Sequence, residues 1–112
     1  MKSHGIYVGT LRLDSPWYSR RMKHITFPEK GPGEYWYDYK GFYFVGRDTN
    51  RGLVIPSESI IAVTLGYRHG LTFSRTKVLK IIWRNVRERV SSGFVVTHPE
   101  QVMEALTTAG WA

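Results

Sequence analysis

Residues 35–47 read "YWYDYKGFYFVGR", seven aromatic side chains in thirteen positions around one Lys-Gly pair. Lys40-Gly41 marks a tight turn, so Glu34–Tyr39 and Phe42–Arg47 read as the two strands of a hairpin. Alternation then divides the rings. Tyr35, Tyr37 and Tyr39 share one face, with Trp36 and Asp38 on the reverse; Phe42 and Phe44 share a face, with Tyr43 and Val45 behind them. Phe42, Phe44 and one row of the first strand are expected in the core, where each buried ring contributes about 1.5–3 kcal/mol. The other row is open to a second reading, as an exposed surface for stacking or partner binding. Little basic charge lies within 34–45, which weighs against a nucleic-acid platform there.

The pattern continues outward on the C-terminal side. "RDTNRG" is a turn, because Asp, Asn and Gly accept turn geometry. "LVI" is a short strand ended by Pro56. "SES" leads into a strand at Ile60–Leu65, with Ile61, Val63 and Leu65 expected on one face. "GYRHGLTFSRT" reads as a longer loop. Lys77–Arg84 follows with Leu79, Ile81 and Trp83 on one face, "NVRE" turns the chain, and Arg89–Val96 returns with Val90, Phe94 and Val96 inward. The period then changes. Thr97 reads as an N-cap with Glu100 closing a capping box, Pro99 fits the first helical turn, and Val102, Met103, Leu106 and Ala109 line one helical face.

Before residue 34, "PEKGPG" at 28–33 is the strongest break in the chain. The sequence divides there into an N-terminal arm, 1–33, packing on the domain, and a main body, 34–112. Within the arm "GIYVGTLRL" can pair as a strand. "SPWYSRRMKH" reads either as a short helix, with Ser15 as N-cap and Pro16 in the first turn, or as a strand.

The fold class expected is therefore mainly β: a strongly bent antiparallel sandwich or partly open barrel of six to seven strands, capped by one C-terminal α-helix. This layout resembles the pleckstrin-homology-like superfamily and, within it, the bacterial PH-like and GRAM-like domains. The residues that carry the resemblance are "KGFYFVGR", "LVIPSESIIAVTLG", "KVLKIIWR" and "SGFVV" ahead of the helix, over roughly residues 34–110, together with Gly9-Thr10 of the arm. Leu53-Val54-Ile55-Pro56 leading to Ile60-Ile61-Ala62-Val63 looks like the hydrophobic-Ile-Pro and Ile-x-x-Val pattern of that group. The resemblance implies binding rather than catalysis. Its phosphoinositide-binding members carry several basic residues between their first two strands, where this chain has Lys40-Gly41, so a deep inositol-phosphate pocket is not implied here.

Composition bounds the function. A chain of 112 residues suits one domain that buries about two thirds of its unfolded surface. Cysteine is absent, which excludes disulfides, Cys-ligated zinc and thiol catalysis, and is compatible with a reducing cytosol. The opening residues lack the apolar core of a signal peptide, and no apolar run is long enough for a membrane span, so the expected location is cytoplasmic, with peripheral membrane association open. Net charge is +7, concentrated in residues 1–30 (six Lys/Arg against two acids) and 73–96 (six against one). A field of this sign favours anionic partners, although a charge of about 2–8 also serves solubility alone.

Two clusters are candidate anion sites. Turns at 46–52 and 66–76 leave the same end of a meander, which places Arg47, Arg51, Arg68, His69 and Arg75 at one end with Asp48 opposed; the sparser opposite end carries Lys40, Arg84 and Arg87. The second cluster is the arm patch of Trp17, Tyr18, Arg20, Arg21 and Lys23, whose interleaved rings and cations suit acidic headgroups or single-stranded nucleic acid. The same residues can equally pack on the sheet with their charges in solvent. His4, His24, His69 and His98 show no ligand spacing, no carboxylates form an acid/base pair, and no phosphate loop or nucleophile elbow is present. The sequence thus predicts no enzyme, no cofactor and no metal. It predicts a non-enzymatic binding module for a protein partner, itself included as a homo-oligomer, or for an anionic membrane surface; the alternative is a small basic β-domain for single-stranded nucleic acid.

Overall fold

The computed structural model of the chain describes residues 2–13, 28, 30–47, 51–69 and 72–108. Among the described residues, seven strands form one antiparallel sheet: β1 (Ser3–Arg12), β2 (Gly31–Asp38), β3 (Gly41–Gly46), β4 (Gly52–Pro56), β5 (Ile60–His69), β6 (Thr72–Asn85) and β7 (Glu88–Val95). A 3-10 turn, Ser57–Ser59, links β4 to β5, and the helix α1 (Pro99–Thr108) follows β7. The spatial order is β4-β3-β2-β1-β7-β6-β5. The sheet is bent but not closed, since β4 and β5 form its two edges, and α1 lies against β5 and β6 and reaches β2. The expected fold class is the one observed.

The opening aromatic hairpin folds by parity. Tyr35, Phe42 and Phe44 are buried, with Tyr35 stacked on Phe42 at 5.7 Å and Phe42 set against Phe94 of β7 at 4.7 Å. Tyr37 is 37% exposed and Tyr39 lies in the turn. Asp38 holds that turn by accepting the Lys40 amide at 2.8 Å and the Tyr43 hydroxyl at 3.2 Å, the local side-chain bonding for which Asp is favoured in turns. Gly33 is where the backbones come closest. A Cβ there would meet the Phe44 ring at 2.6 Å as well as the Val45 carbonyl.

Four details depart from the sequence reading. First, β1 is the central strand, paired with β2 on one side and β7 on the other, and β2 begins at Gly31, inside the Pro/Gly break. A bulge between Tyr7 and Gly9, with Gly9 at φ 118, lets neighbouring Tyr7 and Val8 both be buried. Second, Ile61 is 43% exposed, because a register shift between Ile60 and Ala62 turns Ile60 and Val63 into the core instead. Third, the stretch read as a long loop at 66–76 is mostly strand: β5 runs to His69 and β6 starts at Thr72. Fourth, the helix starts at Pro99. The amides of Gln101 and Val102 return to the His98 carbonyl, which puts His98 rather than Thr97 in the cap position. Glu100 accepts a hydrogen bond from Lys77 at 2.8 Å. Val102 and Leu106 are buried with Met103 beside them as the period predicts, while Ala109 lies outside the described residues.

The core carries one polar chain. The Trp83 indole N–H donates to Ser92 Oγ at 3.0 Å, Ser92 Oγ lies 2.7 Å from Thr10 Oγ1, and Thr10 in turn hydrogen-bonds the Tyr7 hydroxyl. Among the described residues no buried side-chain polar atom lacks a partner. Burial pushes the Tyr7 hydroxyl up to about 12, against the lowering effect of its bond to Thr10.

Candidate functional site

The turn of the β6–β7 hairpin shows two departures from ordinary sheet chemistry at once. Strands β6 and β7 run in register to Asn85 and Glu88, which leaves Val86 and Arg87 as a two-residue turn. Such turns take a positive φ at their first central position, where Gly or Asn is favoured. Here that position is Val86, at φ 59, and among the described non-glycine residues no other has a positive φ. A β-branched side chain in this region is strained. Its side chain gains no burial in return, since Val86 is 86% exposed.

The second departure is electrostatic. Arg84 and Arg89 are direct cross-strand partners, both exposed, on the face opposite the buried Trp83 and Val90. Like charges directly opposite each other destabilise a strand pair. Arg87 adds a third exposed cation in the turn itself. The hairpin's one acid, Glu88, is engaged from β1 by Arg12, Nε to Oε1 3.4 Å, and the Leu13 amide ties β1 to the Arg89 carbonyl at 2.9 Å. The result is an exposed valine at the turn with Arg87 beside it and Arg84 and Arg89 on one face of the two strands below.

A second surface lies on the outside of the other half of the sheet. Trp36 of β2 stacks on Tyr43 of β3 at 5.4 Å and 16°, and Lys2 sits over the Trp36 ring at 4.7 Å. Tyr43 faces Val54 of β4 in register, and Val54 is 58% exposed. Partial burial, then the neighbouring Asp38 carboxylate, raises the Tyr43 hydroxyl above its usual range. With Glu34 and Asp38 exposed nearby, this ridge does not offer the cationic groove that a nucleic acid requires.

The residues nominated from sequence fall as follows. Arg47 is exposed just after β3, and its amide bonds the Pro32 carbonyl at 3.0 Å. Arg51 is half-buried before β4, its carbonyl accepting from Gly46 at 2.9 Å. The backbones of Arg68, His69 and Arg75 lie in β5 and β6, and their side chains lie outside the described residues. The connections 47–51 and 70–71 belong to strands at opposite edges of the sheet order. Trp17, Tyr18, Arg20, Arg21 and Lys23 all lie outside the described residues. Val86 was not nominated, although a β-branched residue in a turn as short as "NVRE" was the available signal.

Among the described residues no three His, Cys, Asp or Glu side chains gather as metal ligands, and no helix is long and apolar enough to cross a membrane. The buried hydroxyls of Tyr7, Thr10 and Ser92 have no carboxylate or imidazole among the partners described above. Comparison of the chain with protein-family models and with curated proteins finds no match.

Proposed function

We propose that this chain is a non-enzymatic binding module of the bacterial PH-like, GRAM-like kind that engages an anionic membrane surface peripherally through the tip of the β6–β7 hairpin. The observation that carries this reading is Val86: strained, exposed, and flanked by Arg84, Arg87 and Arg89. An apolar apex can enter the boundary between headgroups and acyl chains while the neighbouring guanidiniums meet phosphate oxygens. Each cation near an acidic leaflet is worth about 1 kcal/mol at moderate salt. Net charge of +7 adds long-range attraction of the same sign. The bent β-sheet with its terminal helix is consistent with the proposed kinship and supplies a rigid base for the tip. A cytoplasmic location belongs to the same proposal.

Vesicle sedimentation tests it. The chain should bind phosphatidylcholine vesicles that contain phosphatidylserine, release them as salt rises, and ignore phosphatidylcholine alone. Binding that is equal on both vesicles, or absent from both, overturns the reading. Salt-sensitive binding to single-stranded DNA or RNA with none to vesicles would move the assignment to nucleic acid.

A further inference from the structure

We infer that two copies of this chain join edge to edge through β4, forming a two-fold dimer with one continuous sheet. The inference goes beyond the membrane reading and is independent of it.

The hydrogen-bond phase of β4 is set at both ends. Gly46 donates to the Arg51 carbonyl at 2.9 Å and Ser57 donates to the Lys40 carbonyl at 2.8 Å. Antiparallel ladders alternate, so Leu53 and Ile55 exchange bonds with β3, while the amide of Val54, the amide of Gly52 and the carbonyls of Gly52, Val54 and Pro56 point away from it. Among the described residues β4 is the last strand in the sheet order, which makes this their outer edge.

The two edges differ in how they are guarded. β5 has register shifts at Ile60/Ala62 and Gly66/Arg68, irregularities of the kind that turn an edge away from a partner. β4 pairs with β3 without a shift, and Gly52–Pro56 contains no charged side chain. In a chain of net charge +7, this is an uncharged strand whose outward side chain, Val54, is 58% exposed.

The segment also complements itself. A two-fold axis through Val54 sets each Gly52 against the other copy's Pro56, so the Gly52 amide can donate to that Pro56 carbonyl while the two Val54 residues exchange bonds. Arg51 precedes the strand and Glu58 follows it, so the antiparallel arrangement brings opposite charges together at both ends. The ridge of Trp36, Tyr43 and Val54 then runs across the axis into its symmetry mate. Pro56 has no amide to offer, which ends the ladder there, and the paired edge is used up, so the contact closes as a dimer.

The test is the mass of the full chain in solution without lipid, by light scattering across a broad concentration range, with amide exchange read at Gly52 and Val54. The expected species has twice the 13.0 kDa of the chain at high concentration, with both amides slowed as the dimer forms. Val54→Lys places a charge on the axis without touching the core and should give monomers with unchanged circular dichroism. Wild-type chain that remains 13.0 kDa at every concentration overturns the inference and leaves the edge for another protein's strand. A dimer that Val54→Lys leaves intact, with fast exchange at Gly52 and Val54, overturns it equally. Vesicle binding plays no part in either outcome.

Discussion

The indole of Trp83 donates to the hydroxyl of Ser92 at 3.0 Å, nine residues on and across the β6–β7 pair, in the middle of the core. Ser92 is fully buried and passes the chain of hydroxyls on to Thr10. Replacing it with alanine removes one hydrogen bond from the Trp83 indole and one from the Thr10 hydroxyl, which keeps its bond to Tyr7. Each lost hydrogen bond is worth about 0.5–1.5 kcal/mol net. Ser92→Ala should therefore lower stability by about 2 kcal/mol in urea unfolding, with the Trp83 emission of the native state altered as well.

Tyr7, at the other end of that chain, gives the fold an alkaline limit. Its hydroxyl is raised from 10.0 to about 12 by burial. The native state thus holds this proton more tightly than the unfolded chain does. The contribution is complete below pH 10 and is lost as pH rises toward about 12. A shift of this size corresponds to stability on the order of 2–3 kcal/mol. Urea titrations from pH 8 upward should show a steeper alkaline loss in the wild type than in Tyr7→Phe.

Gly33 sits where a Cβ would run into the Phe44 ring and the Val45 carbonyl. The strand pair has no slack there, since one neighbour is backbone and the other is a buried ring. Gly33→Ala should destabilise the fold by about 1–3 kcal/mol, the range for overpacking, which a shifted urea midpoint would reveal.

Val86 predicts the opposite sign. A strained backbone position costs about 1–3 kcal/mol, and the entropy of a new glycine returns about 0.4–1 of any gain. Val86→Gly should raise stability by about 1 kcal/mol while weakening vesicle binding, because the apolar apex is gone. A mutation that helps the fold and harms the binding is what a site retained for function would show. Thermal melts and vesicle sedimentation on the same preparation check both halves.

Much of this architecture was legible because it depends on period. The alternation at 35–47, at Leu79-Ile81-Trp83 and at Val90–Val96, and the helical spacing of Val102 and Leu106, each reports a buried face. The features that escaped are those in which the backbone breaks its own period. The register shift at Ile60/Ala62 moves Ile61 outward, and the Tyr7/Gly9 bulge lets two adjacent residues go inward. The central place of β1 depends on long-range pairing with β7, which local pattern does not encode. Among the described residues, the candidate tip also differs from the clusters first nominated. Charge density pointed to the 46–52 and 66–76 segments, whereas the tip combines a few arginines with a backbone angle that only the three-dimensional structure reveals.

The most direct measurement is vesicle binding of three proteins under one buffer: wild type, Arg84→Glu/Arg87→Glu, and Arg47→Glu as a charge change at the β3–β4 connection. Arg84→Glu sets an acid opposite Arg89 and replaces a like-charge pair with an attractive one, so the fold is expected to stay intact. The hairpin variant should lose binding to phosphatidylserine-containing vesicles by about tenfold or more, since two cations lost near the surface are worth about 2 kcal/mol, while Arg47→Glu retains most of it. Equal loss in both variants, or undiminished binding by the hairpin variant, would contradict the assignment of the β6–β7 tip.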